Sequence, residues 1–241
     1  MTARDHYDTH LANFYSWMVG DFDKKQREQE KFFGDNEIKP TSNRLAFDLG
    51  SGHGLQTISL LNLGFDVKAV DFNKQLLDEL SSNAGDRNLE IFHDDILNFL
   101  RTYPAKAEVI VCMGDTLTHL QDLHEVNELI TYISSHLETE GIVIFSFRDL
   151  TKELKAEQRF IPVKSGNSRI LTCFLEYFPD HVMVHDILHE KQNDHWVQKT
   201  SAYPKLRLNE ALISQILQQN NLALIKSETI NGMIYLIGRR R

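Results

Sequence analysis

The chain has 241 residues, 41% of them apolar and 25% charged, with a formal charge of −8. That length and balance suit one large globular domain or a domain carrying an insertion. The negative charge argues against nucleic acid or an anionic membrane as partner, because neutralising phosphates takes a surplus of Lys and Arg.

In chain order, the opening MTARDHYDTH is polar and holds no signal-peptide pattern. No run approaches the ~20 apolar residues needed to span a bilayer, so no membrane partner is expected. Tyr7, Leu11, Phe14, Tyr15 and Met18 recur at three- and four-residue steps and predict one apolar helical stripe, continued after Gly20 by a charged stretch. A loop over residues 34–43 follows. Strands are predicted at 44–47, 67–72, 89–94, 108–114 and 141–147, with helices at 55–64, 74–83 and 122–137 and a short one near 96–100. The near-continuous apolar run EVIVCMG suits a strand buried on both faces. Such alternation predicts an α/β fold with a doubly wound, mostly parallel seven-stranded sheet.

After Leu150 the rhythm breaks. RFIPV, RILTCFLEYF, HVMVHDILHE and HWVQKTSAY, separated by Pro179-Asp180 and Gln192–Asp194, predict three or four inserted antiparallel strands. A helix at 209–220 and two closing antiparallel strands restore the pattern. The expected domains are a helical cap over 1–42, an α/β core over 43–150, an inserted antiparallel region over 151–204, and a completing segment over 205–241. His181, His185 and His189 share a face of one predicted strand, but they span about 26 Å and so cannot hold one metal ion together. Cys112 and Cys173 lack metal-type spacing and suit buried thiols in a reducing cytoplasm, the expected location. No metal site is expected.

The chemistry concentrates in FDLGSGHG, residues 47–54. A strand, a glycine-rich turn and a helix form a nucleoside- or phosphate-type site, since small residues let a ligand approach the backbone and the helix N-terminus. Gly50, Gly52 and Gly54 are spaced G-x-G-x-G, with Leu55 where a dinucleotide pattern places glycine. Asp48 precedes them, and Asp71 ends the second strand 21 residues after Gly50, where a carboxylate can accept two hydrogen bonds from a ribose diol. This D-x-G-x-G-x-G run resembles motif I of the class I S-adenosylmethionine-dependent methyltransferases. HDDI, with Asp95 and Ile96, resembles that family's adenine site, and VCMGD, with Met113 and Gly114, falls where the family lines the methionyl part of the cofactor.

The resemblance implies S-adenosyl-L-methionine as cofactor and S-adenosyl-L-homocysteine as product. It places Asp48 near the cofactor ammonium, Gly50, Ser51, Gly52 and Gly54 around it, Asp71 on the ribose, Asp95 on the adenine amino group, and Phe72 and Ile96 on the ring faces. Within the superfamily the chain is similar to the glycine/sarcosine N-methyltransferase group at WMVGD (17–21), MGDTLTHL (113–120), FRD (147–149), the inserted strands and Tyr203-Pro204. That likeness implies a small-molecule amine or amino acid as acceptor, with O-methylation or a non-catalytic cofactor-binding module as alternatives. Arg148 corresponds to the arginine that grips the substrate carboxylate, Asp115 stands where the group has asparagine, and His119 matches its histidine. Tyr203 joins them as a catalytic candidate. Tyr15 and Trp17 are expected as a lid over the sulfonium, or else as packing residues, and Lys25 falls on the group's later arginine. Arg148 has a second reading, as an ion-pair partner of Asp149 or Asp115. Homo-oligomerisation is left open.

Overall fold

The computed structural model covers residues 1–241 and describes all of them except Asp86 and Asn88. The N-terminal stripe does not form one helix. α1 (Ala3–Thr9) and α2 (Tyr15–Val19) flank a 3-10 turn at Leu11–Phe14, and Gly20 at φ +99° stops the chain before α3 (Phe22–Asp35). Thr2 and Asp5 close a reciprocal capping box on α1, and Asp21 caps α3 by accepting from the Lys24 N–H at 2.9 Å.

β1 (Leu45–Leu49) runs into the glycine turn, two residues beyond the predicted strand end, and α4 (Leu55–Asn62) leaves it. The rhythm continues through β2 (Asp66–Asp71), α5 (Lys74–Ala84), β3 (Leu89–His93), α6 (Ile96–Thr102), β4 (Ala107–Cys112), α7 (Leu123–His136) and β5 (Leu137–Arg148). All six β4 residues are buried, as the apolar run requires of a central parallel strand. α7 buries Val126, Leu129, Ile130 and Ile133, an i, i+3, i+4, i+7 stripe. At about 1.5–3 kcal/mol per buried aliphatic chain, packing of that stripe outweighs the helix's intrinsic propensity.

The break after Leu150 yields a second sheet of β6 (Phe160–Ser165), β7 (Arg169–Tyr177), β8 (His181–Gln192) and β9 (His195–Leu206), all antiparallel neighbours in that order. α8 (Glu210–Gln219), capped by Asn209, leads to the antiparallel pair β10 (Leu222–Ile230) and β11 (Met233–Arg240). The main sheet has the order β10-β11-β5-β4-β1-β2-β3, with β11 antiparallel to β5 and the five strands from β5 to β3 parallel. Strand order reverses between β1 and β4. In an open parallel sheet such a switch point opens a crevice at the carboxyl ends of the two strands.

The chain divides into two units. One comprises Met1–Gly20 and Leu150–Arg207, and the other Asp21–Asp149 and Leu208–Arg241. The stretch 1–42, expected as one cap, is shared between them at Gly20. In the smaller unit Leu11 and Phe14 pack with Leu171 and Leu188. In the larger, Phe33 of α3 joins Ala46, Val67, Val109, Val111 and Ile144 in a core cluster. Among the described residues no helix is long and apolar enough to cross a membrane.

Candidate active site

The site grows from the carboxyl end of β1. Gly50 and Ser51 each donate their backbone N–H to Val70 O, at 2.8 and 3.0 Å, which binds the turn to the end of β2. Gly50, Gly52 and Gly54 have φ of +79°, +52° and +101°. At Gly50 a Cβ would lie 2.5 Å from the Thr116 side chain, and at Gly54 one would lie 2.3 Å from Leu80 Cδ1. Backbone conformation and space both select glycine there. Ser51 is 3% exposed and its Oγ has no hydrogen-bond partner among the described residues. An orphaned hydroxyl between two glycines is a cradle for a polar ligand.

Two carboxylates flank the turn. Asp71 ends β2 with Oδ2 accepting from the Gly52 N–H and Oδ1 from the Asn73 N–H, each at 2.8 Å. Asp71 thus pins the turn, and its carboxylate is an acceptor of the kind a diol takes. Asp48 is buried and accepts from Thr57 Oγ1 at 2.6 Å. Burial, reinforced by the negative charge of Asp71, pushes its carboxyl up to about 7. A ligand ammonium there would hold it ionised. These groups fit the amino-acid and ribose portions of an adenosyl amino acid.

On the flanks, Phe72 is half-buried, and its carbonyl accepts from His93 Nε2 at 2.9 Å. Asp95 proves to be the N-cap of α6. Its Oδ1 accepts from the Leu97 and Asn98 N–H groups at 2.9 and 3.3 Å, while the residue stays exposed. An adenine amino group would therefore have to share that carboxylate with the helix end. Ile96 is buried.

At the end of β4, Met113 is buried and Gly114 donates its N–H to Ser146 Oγ at 2.8 Å. Asp115 is 2% exposed and adopts φ +75°, a costly conformation for a side-chain-bearing residue. It is held by its N–H to Ser146 O at 3.1 Å, by Oδ1 accepting the Arg148 N–H at 2.8 Å, and by an Oδ2 ion pair with the Arg148 guanidinium. The Arg148 side chain is 56% exposed. The ion-pair reading of Arg148 is thus what the structure contains, with part of the fork still facing solvent. His119 is half-buried in the 3-10 turn Thr116–His119 that follows.

Lys25 is exposed on α3, whereas Gln26 and Gln29 carry that helix's polar contacts to the core. Gln26 Nε2 lies 3.5 Å from Ser59 Oγ, and Gln29 Nε2 lies 4.0 Å from Met113 Sδ. Tyr203, expected in catalysis, belongs to the smaller unit. There it is 6% exposed, stacks on His6 at 3.9 Å, and packs with Leu175, Val182 and Val184. Tyr15 and Trp17 also belong to the smaller unit and pack against Leu11, Phe14, Leu171 and Leu188, with Lys164 and Arg169 over the Trp17 ring. Their packing reading therefore has contacts behind it.

Sequence reasoning missed His53, Tyr235 and Gln29. His53, inside the glycine turn, sits edge-on to Phe22 at 5.1 Å, and burial drives its imidazole down to about 4. Tyr235 on β11 has its hydroxyl raised by burial, against the opposing pull of Arg148. The only local signal for either was a polar ring inside an apolar pattern. Among the described residues no three His, Cys, Asp or Glu side chains form a metal-holding group.

A parallel sheet with an antiparallel last pair, a glycine turn at the switch point and acids at the ends of β1 and β2 are the features that the likeness to class I S-adenosylmethionine-dependent methyltransferases implied. Residues 46–141 match the family described as a methyltransferase domain. The chain is 27% identical over 114 residues to a glycine/sarcosine N-methyltransferase of Aphanothece halophytica, a match covering 46% of this chain and 43% of that one. It is 26% identical over 136 residues to a cypemycin N-terminal methyltransferase of Streptomyces, covering 56% of this chain and 55% of that one. The chain thus spans about half the length of these curated relatives. In fold it is similar to an S-adenosylmethionine-dependent methyltransferase from Clostridium acetobutylicum, with a TM-score of 0.74 at 16% identity, covering 98% of this chain and 96% of that one.

Proposed function

We propose that this protein transfers the methyl group of S-adenosylmethionine to the nitrogen of a small-molecule amine in the cytoplasm. The observation that carries the reading is the Asp115–Arg148 pair beside Met113 and Gly114. It sets a buried carboxylate and a half-exposed guanidinium at the carboxyl ends of β4 and β5. The cofactor supplies a methyl group already activated by a sulfonium. The protein's remaining tasks are alignment, exclusion of water and management of charge.

This chain's residues divide those tasks. Ionised Asp48 would hold the cofactor ammonium, Asp71 the ribose hydroxyls, and the Ser51 hydroxyl would gain a partner. On the acceptor side the Asp115 carboxylate, paired with the Arg148 guanidinium, can accept a hydrogen bond from an amine N–H and orient the nitrogen lone pair. The exposed part of Arg148 suits an acceptor that also carries a carboxylate. The names of the two curated relatives, one for glycine and sarcosine and one for an N-terminus, support nitrogen over oxygen as the accepting atom.

The test is a labelled-cofactor screen against amines, amino acids and phenols. Label appearing in amines or amino acids supports the reading. Label in phenols alone would move it to O-methylation, and failure to bind S-adenosylhomocysteine at millimolar concentration in calorimetry would remove it altogether.

A further inference from the structure

The smaller unit carries an exposed face on its sheet β6-β7-β8-β9. Neighbouring residues of a strand point to opposite faces. One face holds Leu171, Leu188, Ser201 and Tyr203 and is packed by Leu11, Phe14 and His6 of the N-terminal segment. The registers Phe160↔Phe174, Phe174↔His185, Thr172↔Ile187 and Ile187↔Thr200 set the other. There Phe160, Ile170 and Trp196 are 52%, 39% and 48% exposed, while Phe174 and Ile187 are half-buried. Rings step across three strands, from Phe160 to Phe174 at 4.8 Å and from Phe174 to His185 at 5.6 Å. Large apolar side chains gathered on one exposed face mark an interaction surface.

The charge of this face suits a copy of itself. The chain has a formal charge of −8, so self-association favours a patch where that excess is balanced. Apart from histidines, the strand positions of the face hold two ionisable residues, Glu176 towards one end and Lys191 at the other. Asp194 of the following turn pairs with Lys191 at 2.8 Å, and Arg159 lies over the ring of Phe174, two residues from Glu176, at 4.8 Å. Each end therefore mixes both signs. Glu176 is paired with Met183, four residues before Ile187 on β8, and Lys191 stands four residues after Ile187. A two-fold axis crossing the strands at Ile187 thus brings Glu176 of each copy towards Lys191 of the other, as an isologous contact demands.

The area agrees. At ~3.4 Å per residue and ~4.8 Å between strands, the four strands present about 640 Å2. Two such faces together cover about 1,300 Å2, inside the ~1,200–2,000 Å2 of specific protein interfaces. We propose that the chain forms a homodimer by packing this face on its equivalent in a second copy. Ile187 lies at the axis, the apolar rows of the two copies face one another, and a Glu176–Lys191 pair closes each end.

Sedimentation equilibrium of the full chain tests this. The expected result is a dimer at micromolar concentration that Ile187→Asp converts to a monomer, because it sets two like charges across the axis. Circular dichroism separates loss of association in that variant from loss of fold. Glu176→Lys and Lys191→Glu, both at exposed positions, should each weaken association at least tenfold, and the double reversal should recover most of that loss. A monomeric wild type, which would leave the face to some other partner, overturns the proposal. So does a dimer that survives all three single changes, or one that the double reversal fails to restore.

Discussion

Asp48→Asn should make the cofactor-free protein more stable at pH 8 while weakening its hold on cofactor. Asp48 is fully buried, and burial lifts its carboxyl from the ordinary ~3.9 to about 7. At about 1.4 kcal/mol per pKa unit, that rise corresponds to about 4 kcal/mol, an upper bound because relaxation and water entry reduce such penalties. Above pH ~4 the unfolded chain has released this proton, whereas the folded chain keeps it until about pH 7. The folded state therefore binds more protons across that window, and stability falls as pH rises from ~4 to ~7, then levels off. Asparagine keeps an acceptor for Thr57 Oγ1 without the ionisation. Urea unfolding at pH 5, 6, 7 and 8 without cofactor should show a gain that grows with pH, by about 1–3 kcal/mol between pH 5 and pH 8. In the wild type, calorimetry should show S-adenosylhomocysteine affinity rising with pH up to ~7 and then levelling; the variant should bind weakly throughout. A stability difference that ignores pH would refute the assignment of the raised carboxyl to Asp48.

The remaining predictions concern its neighbours. His53 has its imidazole depressed to about 4 by burial, so the unfolded chain binds its proton first and stability is lost as pH falls from ~6.5 towards 4. His53→Phe should flatten that part of the urea-midpoint profile, and an unchanged acid limb would argue against it. Gly54→Ala places a Cβ against Leu80 in a left-handed conformation and should destabilise the protein by about 1–3 kcal/mol in urea unfolding. Asp71→Asn should weaken S-adenosylhomocysteine binding at least tenfold, since it loses charge-assisted bonds to both the turn and the ribose. Arg148→Ala should leave that binding within about twofold yet raise the acceptor KM at least tenfold. The reverse pattern for these last two variants would overturn the division of roles.

Local features of the chain already determined much of this protein. The β4 run Ala107–Cys112 could only be a strand buried on both sides, and the α7 stripe only a helix lying on a sheet. Gly50 and Gly54 announced a backbone that no side chain could follow, and Asp48 and Asp71 marked the strand ends beside it. These are properties of neighbours in sequence, where backbone sterics and periodicity act directly. Only the tertiary structure could decide what distant groups do to one another. Asp115 and Arg148 lie 33 residues apart and meet because β4 and β5 are adjacent in the sheet. Tyr203 and His6, far apart in sequence, stack on one another. The N-terminal stripe was interrupted by the 3-10 turn at Leu11–Phe14, and the stretch 1–42 was divided at Gly20. Asp48 titrates near neutrality through burial and the proximity of Asp71. Burial and pairing of charge depend on which surfaces come together, and no spacing along one segment encodes that meeting.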